Sequence, residues 1–152
     1  MTIDTSSVEA LRGEIVGFRF PTGSLSVEGY ENWLACDSLA SVQLPDDVLH
    51  PGWILIGGFR GMGTSLTELF TLVGAAEDAG VMLGETTIEQ TKPLRVGHRY
   101  AVEGEILAVV RRTGSRLGLF DLVTFQVRVL DDDGALAASS TNTFVVPRRR
   151  TA

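Results

Sequence analysis

The chain has 152 residues, 44% of them hydrophobic and 21% charged, with a formal net charge of −6. That length and apolar content suit one folded domain with a core and exclude a disordered chain. The acidic balance argues against a nucleic-acid partner, which would need a basic face. Cys36 is the one cysteine, so a disulfide framework is excluded. The longest apolar stretch, Trp53 to Met62, is interrupted by Arg60 and is too short to span a bilayer. Met1 to Ala10 is polar and acidic, unlike a signal peptide. The expected location is therefore cytoplasmic, with no membrane partner.

Residues 1–12 are expected to fray, with a single domain over 13–148 and a tail at 149–152. Apolar residues at Ile15, Phe18 and Phe20 around Gly17 predict a first strand over Glu14 to Phe20. Pro21-Thr22-Gly23-Ser24 reads as a turn. Ser26 is a good helix cap, and Glu28 and Glu31 suit the positive end of a short helix. Tyr30, Trp33 and Leu34 fall at i, i+3, i+4 and give that helix an apolar face. Residues 40–52 are loop-like, with Pro45, Asp46, Asp47, Pro51 and Gly52.

From Trp53 to about Leu72 the chain is apolar nearly all round, which predicts one long buried helix. It carries Gly57, Gly58, Gly61 and Gly63. Each glycine should cost about 1 kcal/mol in a helix relative to alanine, so something must pack very close to this helix backbone. A wrapped sheet would do so. After Gly74 to Gly80 the rest reads as strands: Val81 to Lys92 with Gly84 a bulge, then alternation at Tyr100, Val102, Ile106, Ala108 and Val110. Val123, Phe125, Val127 and Val129 alternate again, and Leu136 to Val146 is the last strand. Pro93 to Gly97, Thr113-Gly114-Ser115 and Asp131-Asp132-Asp133-Gly134 are the turns. Short turns between consecutive strands imply antiparallel neighbours, and helices segregated on one face imply an α+β class.

This order, with a buried central helix opening at His50-Pro51-Gly52-Trp53, resembles the hotdog fold. Within it, the chain is most similar to the MaoC-like hydratases and dehydratases. Three segments carry the resemblance: His50-Pro51-Gly52, then Leu83-Gly84-Glu85 with Lys92-Pro93-Leu94-Arg95-Val96-Gly97, then Thr141-Asn142 with Pro147-Arg148. They span roughly residues 14–148. The resemblance implies a long central helix wrapped by an antiparallel sheet of about five strands, and a homodimer or hotdog heterodimer formed edge to edge. It implies an acyl-thioester substrate on coenzyme A or a carrier protein. The thioester carbonyl would meet backbone N–H groups at the helix start, here Gly52 and Trp53, where the helix offers unpaired donors and positive charge. No metal or cofactor is expected.

Enzymes of this type use an Asp and a nearby downstream His for proton transfer. Asp37 stands at the place of the Asp, but the Asn-Pro-x-His that should follow is replaced by Ser38-Leu39-Ala40-Ser41-Val42. His50 is the candidate base, oriented by Asp37, Asp46 or Asp47; otherwise it is a loop residue packed beside the helix start. His98 reads as solvent-exposed. Three readings follow: a hydratase or dehydratase with a non-standard Asp37–His50 site, a non-catalytic subunit shaping the acyl tunnel of a partner, or a thioesterase drawing on Asp37 or Thr64. Arg60, a charge inside an apolar helix, calls for a carboxylate partner at the tunnel or the dimer interface. Arg111, Arg112, Arg116 and Arg148 to Arg150 read as solubility charges or as a patch for phosphates. The glycine run 58–63 has the wrong spacing for a dinucleotide fingerprint. Asp131 to Asp133 lack the spacing of a calcium loop, and no Cys/His cluster has zinc spacing.

Overall fold

The computed structural model describes residues 4–76 and 78–148. Its elements are α1 (Val8–Ile15), β1 (Gly23–Leu25), α2 (Gly29–Ser38), α3 (Gly52–Gly61), α4 (Leu66–Leu72), β2 (Met82–Gln90), β3 (Tyr100–Gly114), β4 (Gly118–Leu130) and β5 (Leu136–Pro147). The strands form one antiparallel sheet in the order β1-β3-β4-β5-β2. Short turns between the alternating strands β3, β4 and β5 set their antiparallel pairing. The bulge expected at Gly84 is present, since the β2–β5 register shifts between Leu83 and Glu85.

The sheet curves around α3, and the glycines of α3 are what allow it. A β-carbon at Gly57 would lie 2.8 Å from Leu25 of β1, and one at Gly58 would lie 3.3 Å from Val127 of β4. At Gly61 it would lie 2.9 Å from both the Ser24 carbonyl oxygen and Val102 of β3. The close packing read from the glycine run is thus the sheet itself. Phe59 packs against Phe125 of β4 and Phe144 of β5, with ring centroids 6.0 and 6.4 Å away.

Four sequence expectations are corrected. First, Val8–Ile15 forms a helix capped by Ser7 rather than a frayed end, because Leu11 and Ile15 are one turn apart and both fully buried in the core. Residues 1–3 and 149–152 lie outside the described residues. Second, the strand expected over Glu14 to Phe20 is instead the last two residues of α1 followed by a loop, 16–20, that runs along β3. Gly17 and Phe20 donate to Ile106 and Gly104 carbonyls, but the only bridge is Arg19 with Glu105. The first true strand is Gly23–Leu25, which overlaps the end of the expected turn.

Third, the long helix is two helices. Gly61 ends α3, and Ser65 caps α4 by accepting from the Glu68 N–H, while Glu68 returns to the Ser65 N–H. Gly63 passes against the Pro21 carbonyl, where a β-carbon would lie 1.7 Å from its oxygen. Fourth, α2 starts after Glu28, not Ser26, with the Glu31 carboxylate accepting from the Glu28 N–H at 2.8 Å. The face of α2 turned inward carries Asn32 and Cys36. Its Tyr30, Trp33 and Leu34 stripe stays 68, 55 and 52% exposed.

Among the described residues no helix is long and apolar enough to cross a membrane.

Candidate functional site at the start of the central helix

Pro51 precedes α3 with φ −57°, already helical, so its fixed ring presets the entry of the chain. The next residue must be small. A β-carbon at position 52 would sit 3.0 Å from His50 Nδ1 and 3.5 Å from Leu39 Cδ1. Glycine there lets the His50 ring fold back over the helix start, so that the Gly52 N–H donates to His50 Nδ1 at 3.0 Å. The Trp53 and Ile54 N–H groups donate to the His50 and Pro51 carbonyls, each at 3.0 Å. The first three donors of α3 therefore already have partners. This includes the Gly52 and Trp53 N–H groups offered by the sequence as carbonyl binders.

His50 is half-buried and held from a second side. Its N–H donates at 3.0 Å to Oδ1 of Asn32, which is buried on the inner face of α2. The sequence does not single out Asn32, because the apolar Tyr30, Trp33 and Leu34 stripe lies on the other face of α2. The available signal was its i, i+4 pairing with Cys36 on the opposite side. The structure does not bring Asp37 to the ring. Asp37 lies exposed on the last turn of α2 and has no side-chain partner among the described residues. It does share that end of α2 with Leu39, the residue that packs at Gly52. Asp46 and Asp47 are exposed, in positive-φ backbone, and their carbonyls hold Arg95 and Val96 instead.

Trp53 is 7% exposed, and its Nε1–H is the one buried side-chain polar atom without a hydrogen-bond partner among the described residues. An unmade bond of this kind costs about 1–3 kcal/mol. Arg60 reaches back along α3 so that its guanidinium carbon lies 5.0 Å from the Trp53 ring centroid. Its Nη1 pairs with Glu31 Oε1, and its Nη2 donates to the Ser26 carbonyl, both at 2.7 Å. The carboxylate partner expected for Arg60 exists, but within the chain and on a solvent-exposed guanidinium. The Glu31 carboxyl is held below its ordinary value, first by the Glu28 N–H and then by Arg60. Thr64 is remote from this corner: it lies in the α3–α4 break, with its hydroxyl 3.3 Å from Glu68 Oε2.

The arginines divide. Arg111 and Arg148 are committed to Asp121, Arg112 and Arg116 are exposed, and Arg149 and Arg150 lie outside the described residues. His98 is exposed and stacked beside Tyr100. Asp131 closes its hairpin by accepting from the Asp133 and Ala135 N–H groups and pairs with Lys92. No cluster among the described residues could hold a metal ion.

No family model and no curated relative matches the sequence. Solved structures do. The ChsH1-ChsH2 complex from Mycobacterium tuberculosis superposes with a TM-score of 0.69 at 14% identity, over 95% of this chain and 92% of that one. The HadBC (3R-hydroxyacyl-ACP dehydratase) complex from the same organism gives 0.67 at 16% identity, over 86% and 96%. The R-hydratase PhaJ1 from Pseudomonas aeruginosa gives 0.53 at 15% identity, over 88% and 83%. MaoC-like dehydratases are among the further matches. At these identities the likeness is one of fold: the chain is an α+β protein with the hotdog fold, like these MaoC-like dehydratases and hydratases.

Proposed function

We propose that this chain binds an acyl thioester of coenzyme A or a carrier protein at the start of α3, and acts on it as a MaoC-like hydratase or dehydratase with a non-standard site. The observation that carries this reading is the His50-Pro51-Gly52 corner. An imidazole is clamped there over the positive end of the central helix, in a fold shared with a 3R-hydroxyacyl-ACP dehydratase and an R-hydratase. Asp37, exposed at the end of α2 and with no side-chain partner among the described residues, is the carboxylate assigned to proton transfer in this reading. Incubation with a panel of trans-2-enoyl-CoA esters, followed by mass spectrometry, tests this. The expected product has gained one water with its thioester intact, and Asp37→Asn should lower the rate roughly a hundredfold or more. An unchanged rate in the variant would remove Asp37 from the mechanism, and release of free coenzyme A would make the protein a thioesterase.

One observation favours a second reading, a subunit that shapes the acyl tunnel of a catalytic partner: among the described residues no carboxylate bonds the His50 ring. Two of the structural neighbours are described as complexes, HadBC and ChsH1-ChsH2. Acyl-CoA binding without turnover, with activity appearing only on mixing with another hotdog chain, would favour it. A cytoplasmic location fits either reading.

A further inference from the structure

We infer that His50 serves the thioester as a hydrogen-bond donor and not as a base: its ring carries a proton on Nε2, and that N–H takes the thioester carbonyl oxygen in place of the Gly52 N–H. The inference rests on the acyl-thioester reading above and assigns the carbonyl-binding group within it.

The ring's tautomer follows from its neighbour. A backbone N–H can only donate, so the nitrogen it reaches at 3.0 Å, Nδ1, must present its lone pair. A neutral imidazole has one such lone pair, and the proton then sits on Nε2. For Nε2 to accept a proton from substrate, the ring would need its hydrogen on Nδ1, facing the hydrogen of Gly52. The base role thus costs the bond that holds the ring. Nε2 has no partner among the described residues, yet it is not one of their sealed, unpaired polar atoms, so it is open to solvent.

The corner is built to hold the ring still. Asn32 fixes the His50 N–H, the Trp53 N–H fixes the His50 carbonyl, and the absence of a β-carbon at Gly52 makes room for the imidazole. The first three backbone donors of α3 are engaged, and among the described residues no carboxylate bonds the ring to draw the Nε2 proton away. The Trp53 indole N–H also lacks a partner but is sealed from solvent, so the donor open to a carbonyl oxygen at the positive end of this ten-residue helix is the rigid Nε2–H.

Two measurements test this. Nitrogen-15 NMR of the histidine rings reads the protonated nitrogen directly. The chain has two histidines, and His98→Gln assigns the signals. The expected result for His50 is a protonated Nε2 and a bare Nδ1; the reverse overturns the inference. The second measurement is calorimetric binding of butyryl-CoA against S-butyl-CoA, a thioether without the carbonyl. The wild type should prefer the thioester about tenfold, the worth of one good hydrogen bond. His50→Ala should bind the two alike, and His50→Gln, whose side-chain amide can donate, should recover part of the preference. The carbonyl carbon of bound butyryl-CoA should shift downfield in carbon-13 NMR and lose that shift in His50→Ala. Binding of both ligands without discrimination in the wild type, or discrimination that survives in His50→Ala, overturns the inference and leaves the acyl-thioester reading standing. Binding of neither ligand by the wild type overturns that reading, and this inference with it.

Discussion

Asp121 has no exposed surface, yet two guanidinium groups converge on its carboxylate. Arg111 Nε reaches Oδ1, and Arg148 Nε reaches Oδ2, both at 2.7 Å. Burial alone would raise the carboxyl pKa and is the largest single influence, but the hydrogen bonds and the positive charge of the two arginines together outweigh it and hold the group below its ordinary value. The consequence for stability has a sign. Above the unfolded value of about 4 both states are ionised and the full contribution is present. As the pH falls below it, the unfolded chain takes up the proton first, and the contribution drains away until the folded carboxyl protonates too. Acid unfolding of the wild type should therefore steepen below about pH 4. Asp121→Asn should lose about 3–5 kcal/mol at neutral pH and flatten that part of the curve, as urea titrations at several pH values would show. The arginines, read in the sequence as surface charges or a phosphate patch, could not be matched to this carboxylate, because Asp121 is ten residues from Arg111 and 27 from Arg148.

At the scale of elements, α3 sits as deep in the sheet as its glycines allow, and the three contacts differ in what opposes them. At Gly61 the obstacle is partly backbone, the Ser24 carbonyl oxygen at 2.9 Å; at Gly58 it is a side chain, Val127, at 3.3 Å. Gly61→Ala should push α3 off β1 and cost about 1–3 kcal/mol, more than the roughly 1 kcal/mol gained in helix propensity. In Gly58→Ala the same gain should nearly cancel a small shift of Val127. Thermal and urea unfolding of the two variants would separate them, and equal stabilities would show that α3 is not seated by these contacts. This part of the architecture was legible: a glycine-rich apolar run followed by alternating strands announces a helix wrapped by a sheet. The break after Gly61 was not, because an apolar sequence on both sides of it gives no change of period. Nor was α1, since Leu11 and Ile15 are too few to outweigh the alternation of Ile15, Phe18 and Phe20. The same weakness hid Asn32, because on a ten-residue helix the stripe of large apolar residues was taken to face the core.

At the scale of the whole molecule, the two edges of the sheet are unlike. β1 is three residues long, whereas β2 offers nine and is largely exposed on both faces, with Met82, Leu83 and Ile88 between 42 and 49% exposed. A long uncovered edge with apolar side chains is a template for another strand. The expected state is a dimer of hotdog chains joined through β2, with itself or with a related chain. Sedimentation should find the wild type dimeric, or dimeric once its partner is added, and Ile88→Lys monomeric and still folded. A wild type that stays monomeric in both conditions would leave β2 without that role.

The ion lock around Asp121 also sets an order in time. Arg148 donates to the Val73 and Gly74 carbonyls just beyond α4 as well as to Asp121, so one side chain closes contacts with residues 75, 74 and 27 positions earlier. A ribosome adds about 5–20 residues per second. For the second or more between the emergence of Asp121 and that of Arg148, the nascent carboxylate has only Arg111 across the β3–β4 hairpin, and the last turn of α4 has no cap from this side chain. The hairpin can close early with its own ion pair. Docking of α4 against the sheet waits for Arg148, which follows β5 and carries its clasp.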